Sequence, residues 1–225
     1  MRSGDDYVIL HPAVIRVCHW VWAAGILLLI GSGFQIYNQE PLFDFYFPSN
    51  LIIGNGDDSV AVHNDIGLAA ALLVHFFAMW LLFTSLLVYV AYGLVKGHFR
   101  RKFLPIWPRQ VIGDVFDFLR GRLSHDLGTR NAVQKLLYAF AVAVMAMMVW
   151  SGLVLWKPIQ FYELGIPLGG YDVARYVHFF GMAGIVLFII VHVALTLMVP
   201  KVLPPMITGR ARRDQVEAHA QGETQ

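Results

Sequence analysis

Four stretches of this 225-residue chain run without a single Asp, Glu, Lys or Arg for long enough to cross a lipid bilayer: Val17 to Gln39, Ile66 to Val95, Leu136 to Trp156 and Tyr176 to Pro200. About 20 apolar residues in helical form span the hydrocarbon core. Lipid offers no partner to backbone N–H and C=O groups, so such stretches must satisfy them internally, as helices do. The predicted fold is an all-α, four-helix transmembrane bundle, with residues 1–210 forming the membrane domain and 211–225 a polar tail expected to be disordered. A hydrophobic content of 57% and a mean hydropathy of +0.58 agree with a chain that is mostly membrane. The first stretch is too long for a removable signal peptide and has no small-residue cleavage site.

Basic residues set the orientation. From Tyr37 to Val95 there is no Lys or Arg, whereas the segment from Lys96 to Arg130 carries eight. Lys201, Arg210, Arg212 and Arg213 follow the last stretch. Both termini and the central loop are therefore expected in the cytoplasm. The segments 37–65 and 157–174 then face outward, into the periplasm if the cell is Gram-negative. Topology accounts for the basic residues, leaving no excess that would point to a nucleic acid. Within the central loop, Val111 to Leu119 reads equally as a surface-lying amphipathic stretch or as ordinary solvated loop.

Inside the apolar stretches sit four histidines, and polar groups at that depth are costly and usually functional. Two occupy near-copies of one hexapeptide, Val74-His75-Phe76-Phe77-Ala78-Met79 and Val177-His178-Phe179-Phe180-Gly181-Met182. His192 follows His178 by fourteen residues, and His19 lies in the first stretch. Fourteen helical residues advance about 1400°, close to four full turns, so His178 and His192 share a face, about 21 Å apart. Depth divides the four into two levels. His75 and His178 lie 21 and 23 residues before Lys96 and Lys201, roughly 32–35 Å from the inner boundary. His192 is nine residues before Lys201, and His19 is seven residues into a helix beginning at Pro12. Paired imidazoles at two depths fit two b-type haems, an outer one held by His75 and His178 and an inner one by His19 and His192. Cys18 is the lone cysteine and lacks the Cys-x-x-Cys-His spacing for covalent haem attachment. The alternative is that these histidines only hydrogen-bond between helices.

His63 competes with His75 for the second-helix position. It opens His63-Asn64-Asp65-Ile66-Gly67, where a glycine four residues on suits close packing against a macrocycle. Its 33 residues to Lys96, about 50 Å, place it beyond the hydrocarbon, which favours His75. His11, His98, His125 and His219 lie in polar flanks and read as solvated. Arg16 and Arg175 each precede a histidine by three residues and share its face, which suits bidentate pairing with haem propionates. Snorkelling to the interface is the other reading of Arg16. Asp65 and Asp172 suit the N-caps of the second and fourth helices. A second weak repeat, Ser32-Gly33-Phe34-Gln35-Ile36-Tyr37 and Ser151-Gly152-Leu153-Val154-Leu155-Trp156, closes the first and third stretches. Together the repeats suggest two related helix pairs.

The set His19-Trp20, Val74-His75-Phe76-Phe77, Asn131-x-x-Gln134-Lys135 and His178-(x13)-His192 resembles the bacterial four-helix di-haem cytochrome b family. That family supplies membrane subunits to nickel-iron hydrogenases, formate dehydrogenases and thiosulfate reductases. Segments such as Trp156-Lys157-Pro158-Ile159-Gln160-Phe161, Gly169-Gly170-Tyr171-Asp172-x-x-Arg175 and Met206-Ile207-Thr208-Gly209-Arg210 look most like cytochromes b that accompany sulfite-oxidase-type molybdopterin oxidoreductases. Other members place a His-x-x-x-Gly at the second-helix ligand, a pattern found here at His63.

The resemblance implies a chain in the bacterial inner membrane that passes electrons between the quinone pool and a periplasmic redox subunit; no nucleophile–base pair or metal–water site is visible in the sequence, so no substrate chemistry of its own is expected. It also implies a quinone site beside the inner haem, at the start of the third helix. There Asn131 and Gln134 offer hydrogen-bond donors at the cytoplasmic rim; they serve equally well as helix caps. The outer loop from Glu40 to Asp65 is acidic and aromatic, suited to docking that subunit. A stand-alone transmembrane reductase acting on a small oxidant or metal ion, and a haem-free anchor or transporter, are the rival classes.

Overall fold

A computed structural model describes residues 7–54, 65–96, 132–198, 200 and 203–212. Four long helices dominate: α1 Ala13–Gln39, α2 Asp65–Val95, α3 Ala132–Trp156 and α4 Tyr171–Met198, of 27, 31, 25 and 28 residues. Each contains a segment long and apolar enough to cross a membrane. At 1.5 Å per residue even the shortest, α3, reaches about 37 Å, more than the hydrocarbon thickness. Sequence punctuation ends two of them. Glu40-Pro41 follows α1 and Lys157-Pro158 follows α3, and a residue before proline is pushed out of the helical region.

The helices extend beyond the uncharged stretches at their N-terminal ends. α4 begins at Tyr171, five residues before Tyr176, so Asp172 lies inside the first turn and is not the N-cap. There its charge still complements the positive end of the helix dipole.

The chain divides into two compact units. One, Ala13–His98, holds α1 and α2. Its helices pack antiparallel, since contacts pair rising positions on α1 with falling positions on α2. The Cys18 thiol donates to the Ser85 carbonyl, Gly25 lies against Leu82, and Ser32 reaches His75. The contact depends on small residues. Ala71 and Ala78 are fully buried, and a Cβ on Gly25 would stand 3.2 Å from Leu82. Large apolar side chains such as Leu73 and Phe77 point outward instead. That inversion suits lipid, where close backbone approach and polar contacts join helices and apolar surface gains nothing by hiding.

The loop after α1 folds back over its own helix. Asn38, fully buried, donates from Nδ2 to the Phe47 carbonyl and accepts the Phe47 N–H, both at 2.9 Å. Phe47 stacks on Phe34 at 3.8 Å between centroids. Farther on, the Ile53 N–H donates to the Gly31 carbonyl at 3.0 Å, and the Ile53 side chain fills the space where a Gly31 Cβ would stand. Gly54 (φ +104°) then lies against the Ala71 backbone, an approach and a dihedral that only glycine meets easily.

The other unit, residues 1–12 and 99–225, holds α3, α4 and the chain ends. Gly181 faces Met148, and Gly184 faces Phe140 and Val144, so α3 and α4 are also antiparallel. Their connection folds back as well: Trp150 Nε1 donates to the Leu164 carbonyl at 2.8 Å, and Gly165 packs against Val154. A short two-stranded sheet was not expected. β1 (Tyr7–Ile9) pairs antiparallel with β2 (Arg210–Arg212) in register Tyr7↔Arg212, Val8↔Ala211, Ile9↔Arg210. Residues 211 and 212, read from sequence as the start of a polar tail, therefore lie in a strand, and Ala211 is 5% exposed. Tight turning at Gly209 (φ +82°), whose carbonyl accepts the Leu10 N–H, makes this pairing possible.

Candidate functional site

The two sequence repeats meet each other in space, once in each unit. On α1, Ser32 Oγ lies 3.0 Å from Nδ1 of His75 on α2. On α3, Ser151 Oγ lies 3.0 Å from Nδ1 of His178 on α4. Both serines are fully buried, and each hydroxyl also donates to the carbonyl one turn back: Leu28 at 2.6 Å and Met147 at 2.8 Å. The glycine after each serine faces the same ring. A Cβ on Gly33 would stand 3.7 Å from His75 Cε1, and one on Gly152 3.3 Å from His178 Cε1. Each unit thus carries an imidazole anchored through Nδ1 by a serine and flanked by a side-chain-free position.

This geometry fits an axial haem ligand. Haem iron takes one imidazole nitrogen, and a ring held at Nδ1 keeps Nε2 on its far side for the metal. The serines themselves were not singled out as site residues from sequence. The signal was present in the Ser-Gly of both repeats, but spacing alone does not say that a serine on one helix faces a histidine 43 or 27 residues later.

The four histidines fall at matching distances from the ends of their own helices. From His75 to Val95 and from His178 to Met198 is twenty residues each, about 30 Å. From Ala13 to His19 and from His192 to Met198 is six residues each, about 9 Å. α4 runs unbroken from Tyr171 to Met198, so His178 and His192 keep the common face that their spacing implied. His192 is exposed and stacks on Phe188 at 5.6 Å, and His19 meets Trp20 edge-on at 5.2 Å.

Arg16 lies in α1 one turn before His19, and Arg175 in the first turns of α4 one turn before His178, so each shares its histidine's face. His11 follows β1, where its N–H donates to the Gly209 carbonyl at 3.4 Å. His63 and Asn131 lie outside the described residues, as do His98, His125, His219 and the stretch Val111 to Leu119. Gln134 falls in the first turn of α3, with its side chain likewise outside them.

Two comparisons bear on this arrangement. The sequence profile described as prokaryotic cytochrome b561 matches residues 10–209, nearly the whole chain. A protein of Azospira oryzae whose name describes it as a protein-methionine-sulfoxide reductase subunit, YedZ1, is 41% identical over 208 residues, covering 92% of this chain and 99% of the relative.

Proposed function

This chain belongs to the prokaryotic cytochrome b561 family, a haem b electron-transport protein of the bacterial cytoplasmic membrane, and from that premise we propose that it carries electrons between the quinone pool and an outward-facing oxidoreductase through two haems b. The observation that carries this reading is the duplicated serine-anchored imidazole, one per helix pair. His75 and His178 would ligate the outer haem, and His19 and His192 the inner one, with Arg16 and Arg175 as the cations that would pair with their propionates. Each haem supplies a one-electron relay, and the roughly 21 Å between His178 and His192 on one helix is room for two macrocycles between opposite membrane faces. The chain's own work is to hold the rings, keep water from them and fix their spacing.

Orientation follows the basic residues, with both termini cytoplasmic and the turns after α1 and α3 outside. Asn131 and Gln134 bind the quinone head group beside the inner haem. The outward partner is a soluble redox subunit of the molybdopterin class, docking on the folded-back loops. The Azospira relative is named as a methionine-sulfoxide reductase subunit, which favours outward electron flow. Quinol oxidation on the inner side releases two electrons and two protons; reduction of a sulfoxide takes up two of each and releases water.

Haem stoichiometry tests the reading. The purified chain should give two protohaems by pyridine haemochrome assay. His75→Leu, His178→Leu, His19→Leu and His192→Leu should each leave one, and His178→Leu with His192→Leu none. A colourless native chain, or full absorbance in that double variant, overturns it. Retention of both haems in His75→Leu, with loss of one in His63→Leu, moves the second-helix ligand to His63.

A further inference from the structure

Each of the two buried serines has one proton, and the geometry commits it. Ser32 Oγ–H points to the Leu28 carbonyl at 2.6 Å, and Ser151 Oγ–H to the Met147 carbonyl at 2.8 Å. Toward Nδ1 of His75 and of His178, each 3.0 Å away, the hydroxyl oxygen can then only accept. In that arrangement both imidazoles carry their proton on Nδ1, which leaves the Nε2 lone pair for a metal.

We infer that Ser32 and Ser151 are positioning residues that fix the Nδ1–H tautomer of the two outer-haem ligands and set the potential of that haem. The inference rests on the ligand assignment above. An Nδ1–H that donates a hydrogen bond makes the imidazole a more basic ligand, which favours the ferric state and lowers the midpoint potential. Both bonds act on the outer-haem ligands, so the serine pair tunes the potential of that haem. The same hydroxyls, back-bonded to their own helix, cannot rotate away without losing the carbonyl contact. This explains why the serines are fully buried at the helix–helix contact, where an alanine would pack as well.

Redox titration of the intact, haem-loaded chain provides the test. Ser32→Ala and Ser151→Ala should each keep two haems and low-spin spectra, while raising the potential of one haem only. Loss of one neutral hydrogen bond corresponds to about a three- to tenfold change in ferric preference. At 59 mV per tenfold for a one-electron couple, that is a rise of ~30–60 mV. The double variant should shift the same haem by about the sum, and Ser→Thr at either position should restore the native value. Loss of the outer haem that Ser→Thr restores also supports the role. Unchanged potentials, equal shifts of both haems, or an effect that Ser→Thr fails to reverse overturns it. If His75→Leu and His178→Leu each lose a haem while the serine variants leave both potentials alone, only the positioning role falls. If those histidine variants keep both haems, the ligand assignment itself fails.

Discussion

Adding one methyl group beside each anchored ring separates two positions that look equivalent in sequence. A Cβ on Gly152 falls 3.3 Å from His178 Cε1 and 3.8 Å from its Nδ1, while a Cβ on Gly33 falls 3.7 Å from His75 Cε1. Carbon atoms rest at roughly 3.5–4.0 Å, so Gly33→Ala is accommodated where it stands. Gly152→Ala forces the His178 ring to give by a few tenths of an ångström. That ring is tied to Ser151 at Nδ1 and to α4 at its backbone, so the movement passes to Nε2. Metal–ligand distances tolerate only about ±0.2 Å, so the displacement is comparable to the margin. Gly152→Ala should therefore weaken retention of one haem by about tenfold, the lower end of what loss of ligand support costs. Gly33→Ala should stay within about twofold. Both are read from haem-to-protein ratio and low-spin absorbance after graded detergent washing. Equal losses in the two variants, or none in Gly152→Ala, would refute the reasoning.

Three further outcomes follow from the structure. Asn38→Ala removes both 2.9 Å bonds to the Phe47 backbone. At ~1–3 kcal/mol for each group left without its partner, this should speed proteolysis within residues 40–54 while the helices stay intact; an unchanged cleavage rate would count against the fold-back. Gly54→Ala combines a φ of +104° with a Cβ 2.7 Å from the Ala71 backbone, whereas Gly170→Ala has a φ of +93° but nothing within 4 Å. Gly170→Ala should cost only the ~1–2 kcal/mol of a left-handed residue and Gly54→Ala clearly more, read as thermal unfolding in detergent; equal losses would contradict the close approach. Asn131→Ala with Gln134→Ala should abolish haem oxidation and reduction by quinone while both haem spectra persist, and unchanged quinone kinetics would reject that site.

Much of this protein was legible along the chain because membrane helices are governed by local rules. Uncharged length identified α1 to α4, with ends off by up to five residues at α4, since Asp172 and Arg175 begin a helix that the uncharged stretch does not cover. The position of each histidine along its helix followed from counting residues, because a helix converts residue number into distance at a fixed rise. The family resemblance was carried by short motifs, each contiguous in sequence or, for His178 and His192, confined to one helix.

Contacts across helices followed no such rule. That Ser32 meets His75 and Ser151 meets His178, that Ile53 returns to the Gly31 carbonyl, and that the two chain ends pair as β1 and β2 all depend on where separate segments come to rest. Periodicity and hydropathy specify what a segment becomes and where each side chain falls along it. The nitrogen of a histidine that is bound, and the hydroxyl that binds it, are fixed only when two helices approach within hydrogen-bonding distance, because that bond is made by atoms the sequence keeps dozens of residues apart.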